Sequence, residues 1–245
     1  MYLACTHICV FSICIFIFLA AISNLQILIS YVRNRGCHIL QIDTNDGTVE
    51  ILDNFELPET YRGSGGLWQE SSGAFLETGI YYMPFDARRI MRLNPDNDSL
   101  SSVGDDLGEG GSKYCGTVVG RNDDCVYGIP NYTTTRIARF DQTNPDKTST
   151  LGEEAEEGFY CENGVLGGDG DIYAANNSDQ VLKIDVRMNC DYTTWIVDEF
   201  DNEECGFGWC DPVVGVDNCI YWPPLIHSIL PKVGTGTCTV HVLLD

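Results

Sequence analysis

Three stretches of this chain crowd carboxylates closely enough to do chemistry. They are Asp105, Asp106 and Glu109; then Glu153, Glu154, Glu156 and Glu157; then Asp198, Glu199, Asp201, Glu203 and Glu204. Oxygen-only ligand sets of this kind suit calcium. A run of exposed negative charge equally suits a basic protein partner. Acidic runs are most often plain solvated surface, so a site requires the three loops to converge in space. Apart from calcium, no cofactor is expected.

Other reactive residue types are poorly placed. His7, His38, His227 and His241 have no neighbour at metal-ligand or triad spacing. Of twelve cysteines, nine follow residue 35, and none makes a Cys-x-x-Cys pair. Cys205 and Cys210 lie five apart with no recognisable zinc pattern. Gly63-Ser64-Gly65-Gly66 and Gly108-Glu109-Gly110-Gly111 are glycine-rich, but no helix pattern follows to complete a phosphate cradle. Asn97, Asn131 and Asn176 begin triplets that fit the N-glycosylation pattern.

The elements that must position the acidic loops repeat. Ile80-Tyr81-Tyr82-Met83-Pro84, Val126-Tyr127-Gly128-Ile129-Pro130, Ile172-Tyr173-Ala174-Ala175-Asn176 and Ile220-Tyr221-Trp222-Pro223-Pro224 place their tyrosines 46, 46 and 48 residues apart. That period matches propeller blades. A second alternating run follows each segment, as in Arg136 to Phe140, and usually ends on Asp or Asn. A short third strand follows, such as Thr148 to Leu151. A small-residue apolar strand such as Tyr114-Cys115-Gly116-Thr117-Val118-Val119 opens the next unit. Each unit therefore reads as strands A, B, C and D. Regular short strands separated by turn signals specify an all-β fold, and an exact four-strand repeat selects a β-propeller-like array of antiparallel blades. About four full repeats plus a half repeat are expected; the half repeat is built on Ile39-Leu40-Gln41-Ile42-Asp43. Such an array is an open arc, part of a larger ring, or a ring closed by oligomerisation. The repeated tyrosines are expected to pack between blades.

These segments resemble kelch-like and NHL-like propeller repeats, and in particular the tandem Ile-Tyr-Gly-Ile-Pro repeats of uncharacterised proteins in unicellular algae. The unit from Tyr81 to Leu107 matches best; those at Tyr173 and Tyr221 depart from Gly-Ile-Pro. The resemblance implies a propeller over residues 37–245 and implies little about function, because propellers host enzymes and scaffolds alike.

Ahead of the repeats, residues Leu3 to Val32 carry no charged side chain. About 20 apolar residues suffice to span a bilayer, so residues 1–35 are expected to form a hydrophobic helix that anchors the protein as a single-pass membrane protein. A cleaved signal peptide is the rival reading. Arg33 and Arg35 would hold the repeat domain, residues 36–245, in the cytosol, whereas the glycosylation triplets matter only in the lumen, so the side is open. The formal charge of −22, from 36 acidic and 14 basic residues, excludes nucleic acid as a partner, since phosphate binding needs Lys and Arg.

Alternating strand directions bring the B–C and D–A connections to one end of each blade. That end collects the acidic loops; the opposite end shows turns such as Gly168-Asp169-Gly170. The function expected is a non-catalytic interaction module whose acidic face takes a protein partner or a cation. The alternative is a metal-dependent propeller hydrolase or lactonase with carboxylates at the channel mouth.

Overall fold

The computed structural model describes residues 6–10, 13–17, 26–33, 36–43, 46–52, 73–121, 123–134, 136–152, 161–176, 180–186, 192–196, 211–223, 229–235 and 240–244. All of the regular structure among them is β. An apolar hairpin, β1 (Thr6–Val10) and β2 (Ile13–Ile17), comes first. A three-stranded sheet follows: β3 (Gln26–Arg33), β4 (Gly36–Asp43) and β5 (Val49–Leu52).

Four antiparallel four-stranded sheets complete the array, each in sequential order. The first is β6 (Ala74–Leu76), β7 (Gly79–Tyr82), β8 (Ile90–Asn94) and β9 (Ser99–Val103). The second is β10 (Tyr114–Val119), β11 (Cys125–Pro130), β12 (Ile137–Asp141) and β13 (Thr148–Leu151). The third is β14 (Cys161–Leu166), β15 (Ile172–Asn176), β16 (Gln180–Ile184) and β17 (Tyr192–Ile196). The last is β18 (Val213–Val214), β19 (Cys219–Tyr221), β20 (Ile229–Gly234) and β21 (Val240–Leu244).

The first strands adjoin in series, β6 to β10 to β14 to β18, as blades do around a common axis. Burial follows position in the blade. The second strands β7 and β11 are buried throughout, while the outer strands β9 and β13 are Ser- and Thr-rich and alternate between half-buried and exposed. Strand A bulges between Tyr114 and Thr117 and again between Cys161 and Gly164. At the first bulge Gly116 has φ +142°, and a Cβ there would stand 2.3 Å from Asn163 Oδ1 on the next blade. Only glycine permits that approach of neighbouring inner strands.

The core lies between blades, as expected for the tyrosines. Tyr81 packs with Tyr114, Val126 and Phe140 of the following sheet, and its ring centroid is 5.2 Å from that of Phe140. Tyr127 shares a cluster with Ile172 and Ala174, and Tyr173 one with Ile220 and Trp222. Burying such a side chain contributes about 1.5–3 kcal/mol.

Two expectations change. The half repeat is a three-stranded sheet, because β3 pairs with β4 over the full run from Gln26↔Asp43 to Arg33↔Gly36. The apolar N-terminus, expected as a helix, carries β1, β2 and β3 in its described residues; its Ile, Val, Thr and Phe content favours extended backbone at least as well as helix. The rest of residues 1–35 lies outside the described residues, and with it part of the expected membrane span. No helix among the described residues is long and apolar enough to cross a membrane.

Candidate functional site

The B–C and D–A connections do meet at one end. Lys113, just ahead of β10, donates its backbone N–H to Phe85 O at 2.9 Å, and its own carbonyl accepts from Asn131 N at 2.8 Å. Phe85 follows β7 and Asn131 follows β11, so one D–A segment is stitched between the B–C loops of two blades. Ser112 N donates to Asp86 Oδ1 at 3.0 Å and Thr133 Oγ1 to Gly111 O at 2.5 Å. Asp86, Lys113 and Asn131 are all buried. The Lys113 ammonium donates to Gly110 O at 2.6 Å. Burial raises the Tyr114 phenol above its ordinary range, against a hydrogen bond with Thr134.

The first acidic loop lies on this rim, partly neutralised. Arg88, in the B–C loop, makes a forked ion pair with Asp106 and reaches Glu109 Oε1 at 3.4 Å. The Arg88 guanidinium and the Gly108 amide hold the Asp106 carboxyl below its ordinary value. Asp105 turns to the next blade: its Oδ2 accepts from Thr148 N at 2.9 Å, and its own N–H donates to Thr148 Oγ1. Glu153, Glu154, Glu156, Glu157, Asp198, Glu199, Asp201, Glu203 and Glu204 lie outside the described residues. Among the described residues no group of His, Cys, Asp and Glu forms a metal-holding cluster.

The opposite end holds an arrangement that sequence reading missed. In the A–B turns, Asp123, Asp169 and Asp217 each sit four residues before a repeated tyrosine and accept from its hydroxyl: Tyr127, Tyr173 at 2.7 Å and Tyr221 at 2.8 Å. Strand C adds a cation directly opposite each tyrosine in register, Arg139, Lys183 or Lys232. Lys183 Nζ is 2.8 Å from Asp171 Oδ2 and 3.5 Å from Asp169 Oδ2; Lys232 Nζ is 2.8 Å from Asp217 Oδ2. Burial works against the Asp169 carboxylate, but Tyr173, the Asp171 amide and Lys183 outweigh it and hold its pKa low. Lys232, Tyr221 and the Cys219 amide do the same for Asp217. The signal was present as Asp-x-x-x-Tyr in three repeats. These charges satisfy one another, so this end reads as a structural clasp.

The remaining candidates are dispersed. Cys125 and Cys161 are buried thiols; burial, aided by Asp123, pushes Cys125 up to about 12. Such thiols are poor nucleophiles. Asn131 is fully buried with its backbone bonded on both sides, which leaves no room for a glycan in this fold. Asn97 is exposed in the β8–β9 turn, where its Oδ1 accepts from Ser99 Oγ at 2.7 Å. The side chain of Asn176 lies outside the described residues.

No protein-family model and no curated protein sequence matches the chain. Solved structures do. Virginiamycin B lyase from Staphylococcus aureus superposes with a TM-score of 0.69 at 15% identity, over 92% of this chain and 68% of that one. A streptogramin B lyase gives 0.67 at 13%, over 89% and 65%. A candidate 6-phosphogluconolactonase from Bacteroides uniformis gives 0.58 at 12%, over 89% and 66%. The chain thus spans about two thirds of the length of these proteins. At these identities the likeness shows the fold alone, a β-propeller. It lends no support to the kelch-like or algal-repeat resemblance.

Proposed function

We propose that this chain is a binding module on a propeller scaffold, and that its working face is the rim formed by the B–C and D–A loops. The observation that carries the reading is the stitching of Lys113 between Phe85 and Asn131. It fixes loops of two blades in one rigid surface, and binding residues concentrate on loops held by such a scaffold. On this reading the runs at 153–157 and 198–204 share the rim with 105–109, because they too follow a fourth strand in sequence. Asp106 and Glu109 are engaged by Arg88, so the charge offered to a partner falls to the runs at 153–157 and 198–204. The partner that suits them is a basic protein surface. Attachment to a membrane through residues 1–35 belongs to the same proposal.

Isothermal titration with a lysine-rich peptide tests it. Saturable binding that weakens steadily with added salt is expected, since exposed charges act through screened fields. Absence of saturable binding at low salt would end this reading.

A second reading, an enzyme at the axial channel, is favoured by the fold's likeness to lyases and a candidate lactonase. Turnover of virginiamycin B or 6-phosphogluconolactone by the purified chain would establish it.

A further inference from the structure

Tyr132 is 50% exposed, and among the described side chains no other aromatic is exposed to that degree. It stands in the B–C loop that follows β11, on the rim formed by the B–C and D–A loops. The backbone around it is tied down. Tyr132 N–H donates to Asn131 Oδ1 at 2.7 Å. Thr133 N–H donates to Ser112 O at 3.2 Å, and Thr134 N–H to Asn131 O at 2.8 Å. Asn131 N–H is bonded to Lys113 O and Thr133 Oγ1 to Gly111 O. The Thr134 side chain bonds Tyr114, the first residue of β10.

Residues 131–134 are thus held one after another, mostly by residues 111–114. Fixing loop backbone costs about 1–2 kcal/mol per residue in lost entropy, and here folding has already done the ordering. A tyrosine adds large contact area with little side-chain freedom left to lose. Tyrosines are accordingly enriched among the residues that dominate protein interfaces. Phe85, half-buried, lies on the other side of the same D–A segment, where its carbonyl accepts from Lys113 N–H.

Charge identifies the occupant. Gly111 and Ser112, which hold Thr133, follow closely after Glu109, so chain length alone keeps the Cα of Glu109 within about 11 Å of that of Ser112. Glu109 meets Arg88 through one oxygen at 3.4 Å, and its side chain is 87% exposed. An exposed tyrosine and a carboxylate therefore share one short stretch of rim. The opposite end of the blades shows what that pairing holds. Lys183 Nζ lies 5.4 Å from the centroid of the Tyr173 ring, beside Asp169. Lys232 Nζ lies 5.3 Å from that of Tyr221, beside Asp217. In both places strand C supplies the lysine from within the chain.

We propose, resting on the reading of this rim as a face for basic proteins, that Tyr132 is its anchor. The ring takes a lysine or arginine side chain from a basic segment of the partner, with Glu109 near enough to meet a neighbouring cation of that segment. An ammonium or guanidinium over an aromatic face is held by the ring's quadrupole, an attraction that net charge does not supply. The formal charge of −22 draws basic partners toward the whole surface; Tyr132 selects where they settle.

Isothermal titration of the full chain with a lysine-rich peptide, beside Tyr132→Leu and Tyr132→Phe, tests this. Leucine keeps an apolar side chain without the ring; phenylalanine keeps the ring without the hydroxyl. Tyr132→Leu is expected to bind about threefold to tenfold more weakly. Its salt dependence should match the parent's, because no charge is lost. Tyr132→Phe should bind as the parent does. An unchanged unfolding midpoint verifies each fold. Parent and Tyr132→Leu binding equally well would overturn the anchor and leave the binding face standing. Equal losses in both variants would overturn it too, by assigning the contact to the hydroxyl. A parent without saturable binding removes the binding face itself, and the anchor with it.

Discussion

The hydroxyl of Tyr173 donates a 2.7 Å hydrogen bond to Oδ2 of Asp169, four residues upstream across the turn between β14 and β15. The bond lets a phenol sit with its ring buried between blades while its polar tip is satisfied at the rim. Removing one partner of a buried hydrogen bond costs about 1–3 kcal/mol. Tyr173→Phe is therefore expected to lower stability to urea by about 1 kcal/mol, near the low end of that range because Lys183 still faces Asp169. Urea denaturation of the two proteins checks it; an unchanged midpoint would show that the clasp is ornamental.

The clasp also predicts acid behaviour. Asp169 in the folded chain holds its pKa below the ordinary value, so the unfolded chain takes up protons first as pH falls. Its contribution is full above the ordinary carboxylate range near 4 and drains away below it. Loss of net charge toward the pI of about 4.2 relieves self-repulsion and works in the other direction, so the comparison must be between variants. The stability difference between the parent chain and Asp169→Asn is expected to be constant from about pH 7 to pH 5 and to shrink as pH drops below about 4. A difference that widens on acidification would refute the assignment.

Gly104 ends β9 at φ +74°, and a Cβ there would lie 2.3 Å from Thr148 Oγ1 on the next blade. Its N–H donates to Pro145 O across the same gap at 2.8 Å. Gly104→Ala meets both a left-handed backbone and a steric clash, and is expected to cost at least about 1 kcal/mol. Gly108, at φ +87° with open space around it, is the control. Gly108→Ala should cost less in the same urea titration.

Cys125 and Cys161 are buried with raised thiol pKa values, whereas Cys219 is only half-buried. Because the thiolate is the nucleophile, iodoacetamide at pH 8 is expected to alkylate Cys219 well before the other two. Denaturant should equalise the rates, read by peptide mass spectrometry. Rapid labelling of Cys161 in the folded chain would contradict the packing between β10–β13 and β14–β17.

Much of the fold was legible because strands B and C carry strong alternation. Val-Tyr-Gly-Ile-Pro and Arg-Ile-Ala-Arg-Phe-Asp fall on β11 and β12 within a residue. Strand β3 was not legible, since Gln26–Arg33 sits in a continuous apolar run whose periodicity does not separate helix from strand. That the B–C and D–A connections meet at one end was legible from strand direction, as the contacts of Lys113 with Phe85 and Asn131 show. What no spacing revealed is that Arg88 and Asp106, eighteen residues apart, meet over that rim. Long-range pairing of loops depends on blade geometry that only the folded chain displays. The Asp169–Tyr173 clasp was hidden for another reason: an Asp beside Gly reads as a turn former before it reads as a hydrogen-bond acceptor.

The acidic rim is tested most directly by moving the same charge from two places. In one variant Glu153, Glu154, Glu156 and Glu157 become Gln; in the other, the exposed Asp96, Asp98 and Asp124 become Asn and the exposed Glu77 becomes Gln, all from the turns at the opposite end. Both lose four charges, so non-specific attraction falls equally. Titrated with one lysine-rich peptide at low salt, the first variant is expected to lose affinity and salt dependence while the second keeps both. Equal losses, or a greater loss in the second, would show that the chain attracts cations by net charge alone and that the rim is not its binding face.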